Sequence, residues 1–333
     1  MRHCACFLTL LALLTAACSS PSSAGGATAD ANDAKFDAQS DVATAQDAED
    51  ATAPDDTVTD TGGASDVETP DIAETDADLP DMNWDELPDP DATSDIDFTK
   101  PVGQLYAHTS DTLYRLDAVA NAFTLVGKFT FDKASGSVTD IALDRYGKLF
   151  AITNHDLFAC VTATAACKWL AAFPGTGTFN GLTFVPTGTI SATSETLIGI
   201  GTDGSWNQID VVGTTTTITK LGSYGGKWLS SGDAFSVEGI GTYATLKGVS
   251  KTDSLAQIDP KTGAILAIVG ETGVNQLFGL AWWNGVFYGV SNDGNVYTLD
   301  TTTGAASKVS GISAPKGVKW WGAGVSTRAN GGS

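Results

Sequence analysis

From residue 105 onward, apolar and polar positions alternate in short runs, punctuated by turn-forming residues. The clearest stretch is 286–311. Phe287-Tyr288-Gly289-Val290 is apolar and rich in aromatic and β-branched side chains. Asn292-Asp293-Gly294-Asn295 follows, and these residue types tolerate the positive φ of a tight hairpin. Val296 to Asp300 then alternates with period two, as a half-buried strand does. A second turn, Thr301 to Gly304, leads to a third strand, Ala305 to Val309.

The same unit recurs four more times: at Leu105 to Asp117, Leu149 to Phe158, Leu197 to Asp210 and Leu246 to Asp259. A separate apolar strand precedes every copy after the first: Ile141-Ala142-Leu143, Leu182-Thr183-Phe184, Phe235-Ser236-Val237 and Leu280-Ala281-Trp282. A fifth such strand, Val318-Lys319-Trp320-Trp321, stands at the C-terminus with no hairpin after it. The first hairpin lacks a preceding strand, so the two ends complement each other. Repeats of about 40 residues, closed by a C-terminal strand in the first blade, predict an all-β chain folded as a β-propeller of five four-stranded blades. Closure also hides sheet edges. An open β-sandwich has similar strand spacing, but the complementary ends favour the ring. The blade count rests least on the irregular stretch between Ser223 and Ser236.

The blade pattern, strand-turn-LYxLD-xxTG, resembles repeats of NHL-, YVTN- and PQQ-type bacterial propellers over most of Pro101 to Arg328. The resemblance implies a fold and no particular activity.

The N-terminal residues have another character. Residues 1–17 carry Arg2, an apolar run Phe7 to Leu14 and small residues before Cys18, the layout of a secretory signal. Leu14-Thr15-Ala16-Ala17-Cys18 resembles the lipobox of bacterial lipoproteins, which implies cleavage before Cys18 and lipidation of its thiol. Acyl chains would anchor the chain without a transmembrane helix. Residues 18–100 are dominated by Ala, Asp, Thr and Pro, with 23 acidic residues from Ser19 onward against Lys35 and Lys100. Such a chain cannot bury enough apolar surface to offset its ordering entropy, and its like charges extend it. It is expected to be a disordered tether, with Trp84 and Phe98 at its end able to dock on the domain. The propeller is expected over 101–328, with a short tail over 329–333.

Charge and cysteines then narrow the partners. The chain's net charge is −21. The tether accounts for it, since the domain has 15 basic and 16 acidic residues. The low pI therefore describes the tether. Nucleic acid is not an expected partner of a nearly neutral domain. Cys4 and Cys6 leave with the signal and Cys18 is the anchor. Cys160 and Cys167 remain, flanking a turn, and are expected to form a disulfide in an exported protein.

Candidate chemistry lies at two sets of turns. The in-blade turns contain Asp111, Asp156, Asp203, Asp253 and Asp293, read first as turn chemistry. Aligning the starts of the innermost strands places Asp140, Asn180, Asp233, Phe278 and Lys316 at equivalent positions near the mouth of the central channel. These five form the expected polar-ligand site, with Phe278 as a stacking face for a sugar. His108 and His155 read as ordinary loop histidines. Trp282, Trp283, Trp320 and Trp321 read as inter-blade packing. No GxSxG, P-loop or HExxH is present, no zinc spacing exists, and no metal or cofactor is expected.

The sequence thus predicts a lipid-anchored protein of the bacterial cell envelope, at the outer membrane, whose propeller binds a glycan or an envelope protein through its loop face. Two alternatives stand beside it. One is a glycoside hydrolase or lactonase-like hydrolase using Asp140 and Asp233. The other is a scaffold component of an envelope complex.

Overall fold

A computed structural model describes residues 96–330 apart from 118, 176–178 and 313. The signal segment, Cys18, Trp84 and the acidic stretch up to residue 95 lie outside the described residues, as do residues 331–333. The described residues form strands and turns, with no helix among them.

Five four-stranded antiparallel units follow one another along the chain; three are separate sheets, and the second and third are joined into one nine-stranded sheet that also takes in the short strand Thr130–Phe131. Blade 1 holds Tyr106–His108, Thr112–Asp117 and Ala122–Lys128. Blade 2 holds Asp140–Leu143, Leu149–Ile152, Asp156–Cys160 and Ala166–Ala172. Blade 3 holds Phe179–Val185, Thr196–Gly201, Ser205–Val212 and Thr215–Ser223. Blade 4 holds Leu229–Val237, Gly241–Lys247, Ser254–Ile258 and Ile265–Glu271. Blade 5 holds Gly279–Trp283, Val286–Val290, Val296–Leu299 and Ala306–Lys308. The last strand, Gly322–Gly324, returns to blade 1 and pairs antiparallel with its first strand, Tyr106 opposite Gly324 and His108 opposite Gly322.

The five innermost strands neighbour one another in turn, and the C-terminal one meets that of blade 2. A parallel bridge between Leu143 and Ser326 joins that seam. The ring is therefore closed as a five-bladed β-propeller. Blades 2 and 3 are additionally linked at their outer strands by a parallel pairing of Ala172 with Thr215.

One expectation needs correction. The closing strand is Gly322–Gly324 and not Val318 to Trp321. The physical reason is space at the axis. A Cβ on Gly322 would collide with the Asp140 carboxyl and the His108 ring, so no indole fits there. The tryptophans sit just before. Trp320 is fully buried, with ring centroids 5.3 Å from Tyr114 and 4.9 Å from Phe123.

Burial follows position in the blade. The innermost strand of blade 2 is buried at every residue, whereas the outer strand of blade 4 alternates between half-buried and exposed. The apolar core is distributed between sheets. One cluster joins blades 1 and 2 through Leu113, Ile141 and Phe158. Another joins blades 2 and 3 through Leu157, Leu182 and Ile209. The inner strands thus bury both faces, which is why Ile141-Ala142-Leu143 reads as an unbroken apolar run, while the outer strands keep polar positions.

Turn chemistry repeats with the blades. Asp300 Oδ1 accepts from the backbone N–H groups of Thr302 and Thr303, both at 2.8 Å. Asp117 does the same for Val119 and Ala120. In blade 2, Cys160 and Cys167 lie directly opposite across the two outer strands and form a disulfide.

Candidate functional site

The innermost strands all start on one face, called here the upper face, and run down to the lower one. At their starts lie two layers. The deeper layer is on the axis: Asp140, Gly181, Asp233, Gly279 and Gly322. The N–H groups that follow three of these glycines make the register plain. Leu182 N donates to Asp140 Oδ2 at 2.5 Å. Leu280 N and Ala323 N donate to Asp233 Oδ2 at 3.1 and 3.2 Å. Ala234 N donates to Asp233 Oδ1 at 2.6 Å.

The two carboxyls lie close enough for each to feel the other. His108, on the strand paired with Gly322, completes the group. Its Nδ1 donates to the Thr109 carbonyl at 2.8 Å, which leaves the Nε2 lone pair facing Asp140 Oδ1 at 3.4 Å. All three side chains are 0% exposed. Burial raises both carboxyls well above the ordinary carboxylate range, and for Asp233 the charge of Asp140 adds to the effect. Burial pulls the imidazole the other way, down to about 4. With Nδ1 donating, Nε2 can only accept, so a protonated Asp140 is the form that suits His108.

The upper layer is one residue earlier on each strand: Thr139, Asn180, Gly232, Phe278 and Trp321. Together with Ser231 and Lys247 these line a pocket of about 240 Å³ at the channel mouth. Phe278 forms one wall, with Lys247 Nζ 5.5 Å from its ring centroid. Trp321 forms another and is 37% exposed. Asn180 Oδ1 is buried and has no hydrogen-bond partner among the described residues. The floor is the sealed axial layer, so the pocket is blind.

The expected site residues therefore separate. Asn180 and Phe278 reach the mouth. Asp140 and Asp233 are brought together beneath it, out of reach of solvent. Lys316 lies in an exposed turn, and Trp321 occupies the place assigned to it. For the aspartates the cause is a one-residue slip in register, since successive positions at a strand start alternate between axis and rim; for Lys316 it is the later start of the closing strand, Gly322–Gly324. Gly181, Gly279 and Gly322 are the marker that the alignment missed, since they occupy the axial positions that lack a side chain. Lys247 and Trp321 carry no motif and are placed at the mouth only by the ring.

The histidine expectation also changes. His108 is a buried member of the axial row and not a loop residue, whereas His155 is exposed in a turn. Of the in-blade aspartates, Asp203 and Asp293 accept from the N–H two residues on, both at 2.9 Å. Asp253 is buried and accepts from Leu277 N at 2.7 Å. Asp156 accepts from the Trp169 indole at 2.7 Å and pairs with Lys133 at 3.3 Å. Each is engaged locally. Among the described residues no group of three His, Cys, Asp or Glu side chains could hold a metal ion.

The lower face holds the start of the domain. The Phe98 ring lies 5.1 Å from the Arg145 guanidinium and 5.0 Å from that of Arg328. Arg328 Nη2 also donates to the Phe98 carbonyl at 3.1 Å, and its Nη1 pairs with Glu238. Phe98 thus docks on the domain. Beside it Glu195 accepts from Arg145 N at 2.7 Å and from the Thr327 hydroxyl. Burial raises the Glu195 carboxyl to about 7.

Comparison with protein-family models finds no match. Comparison with curated proteins finds none either. Among solved structures, one from work on the de novo evolutionary emergence of a symmetrical protein is 14% identical, with a TM-score of 0.40, over 68% of this chain and 95% of that one. A protein of unknown function from Bacteroides caccae is 10% identical, with a TM-score of 0.37, over 62% and 72%. The computationally designed Ika8 protein is 13% identical, with a TM-score of 0.30, over 62% and 58%. These are distant likenesses, and nothing about the activity of this chain follows from them.

Proposed function

We propose that this chain is a lipid-anchored protein of the bacterial cell envelope whose propeller binds a glycan through the mouth of its central channel. The observation that carries the reading is the blind pocket walled by Phe278 and Trp321 and edged by Thr139, Asn180 and Lys247. Aromatic faces beside hydroxyl, amide and ammonium groups match a sugar, which is apolar on its ring face and polar at its edge. Its volume of about 240 Å³ is below the roughly 300–1,000 Å³ of drug-sized sites, which fits one sugar ring.

Hydrolysis by Asp140 and Asp233 has less support. Glycosidase carboxyls stand about 5–10 Å apart across a substrate that reaches both, whereas these two are fully buried beneath the mouth. The test is a glycan-array screen of the full chain in detergent, with Phe278→Ala and Trp321→Ala variants alongside. Binding that both variants lose supports the mouth. No binding from a cooperatively melting chain rejects it and turns attention to protein partners.

A further inference from the structure

A second depression adjoins the mouth on the upper face. It has a volume of about 480 Å³ and lies between the in-blade turn of blade 1 and the segment 315–321. Asp111, Tyr114, Lys316 and Lys319 line it, and so does Trp321, which therefore forms a wall of both depressions.

Trp321 is held in place for this role. Its backbone N–H donates to the His108 carbonyl at 2.8 Å. Its neighbour Trp320 is locked in the core beside Tyr114 and Phe123. A main chain held at this point keeps the indole at the border of the two depressions, where its exposed face can serve as a platform.

The charges at this cleft are unequal. Among the described residues, no carboxylate stands within salt-bridge distance of Lys247, Lys316 or Lys319. Asp111, the acidic residue of the second depression, is already bound by the Thr109 and Thr112 hydroxyls and pairs with Lys128 at 3.5 Å. Asp253, which lies close enough to Lys247 to feel its charge, is buried and hydrogen-bonded to Leu277 N. The exposed charge along the cleft is therefore positive on a domain that is nearly neutral overall.

We infer that the ligand is a linear acidic oligosaccharide of at least two rings. One ring occupies the mouth between Phe278 and Trp321. The next crosses the indole, and its acidic group faces Lys316 and Lys319. This rests on the reading of the mouth as a sugar site and adds to it the ligand's charge, length and direction.

The test is calorimetric titration of the full chain in detergent with galacturonate oligomers of one to four rings and with neutral glucose oligomers of the same lengths. The uronate dimer should bind about tenfold tighter than the monomer, with the gain shrinking at high salt. A Lys316→Gln/Lys319→Gln variant should lose about three- to tenfold of the preference for uronate while still binding neutral sugar. Equal affinity for neutral and acidic oligomers, or none gained with length, overturns this inference and leaves the mouth site standing. Equally tight binding of polyglutamate also overturns it, since the cleft would then be a general polyanion surface. If no saccharide binds while the chain melts cooperatively, both readings fall.

Discussion

Asp140 of blade 2 and Asp233 of blade 4 are both fully buried at the propeller axis, close enough for the charge of one to be felt by the other, and between them they reach all five blades. Asp140 holds Leu182 N of blade 3 and faces His108 of blade 1. Asp233 holds Leu280 N of blade 5 and Ala323 N of the closing strand. Without this pair several backbone N–H groups at the axis would be buried with no acceptor.

Asp233→Ala should therefore destabilise the fold by about 2–5 kcal/mol, because each buried donor left unpaired costs about 1–3 kcal/mol. At roughly 2–4 °C per kcal/mol, the melting temperature should drop by about 5–15 °C. Asp233→Asn keeps one acceptor oxygen and should lose less. A melting temperature unchanged in Asp233→Ala would show that the row does not hold the blades.

The pH dependence has a definite sign. A carboxyl whose folded pKa is raised contributes stability below its unfolded pKa and loses it as pH climbs through the folded value. For Glu195 the window runs from its ordinary 4.5 up to about 7. Urea denaturation should show stability falling across that window, with a smaller fall in Glu195→Gln. The axial pair extends the same trend to higher pH, since both carboxyls are raised. His108 acts oppositely: its stabilising effect is lost as pH drops from 6.5 towards about 4. Equal slopes in wild type and Glu195→Gln would show that this carboxyl is not the one titrating.

Ring closure can be tested at one residue. Gly322 has no room for a Cβ beside Asp140 and His108. Gly322→Ala should cost about 1–3 kcal/mol from overpacking, and removal of 322–333 should abolish cooperative melting. A truncated chain that still melts sharply would show that the C-terminal strand is dispensable.

The disulfide closes a short loop, with a sequence separation of 7. Loop-closure entropy assigns it about 2 kcal/mol. The Cys160→Ser/Cys167→Ser variant should unfold at correspondingly lower denaturant. Non-reducing peptide mapping of the exported chain should recover the two cysteines joined, and two alkylatable thiols there would contradict the bridge.

The proposed lipid anchor is directly testable. Cys18→Ala should leave the chain in the soluble fraction of lysed cells. If the variant still pellets with membranes, lipidation is not what holds it there.

Much of the architecture is local and so could be read along the chain. Strand periodicity, the Asp-and-Gly turns and the unpaired strands at the two ends each depend on a few neighbouring residues, and together they define five blades and their closure. The cysteine pair was legible for the same reason, since it flanks a single turn. The site was not legible in this way. Whether a residue at a strand start points to the axis or to the rim changes with a shift of one position. That shift hid Asp140 and Asp233 under the mouth, and a closing strand that begins four residues later than expected put Gly322 at the axis and left Trp321 at the rim. Lys247 belongs to blade 4, whereas His108 and Trp321 meet in blade 1 from opposite ends of the chain, and the three share no spacing. They meet the mouth or the axis only because the closed ring converges there, and convergence of distant segments leaves no local mark in a sequence.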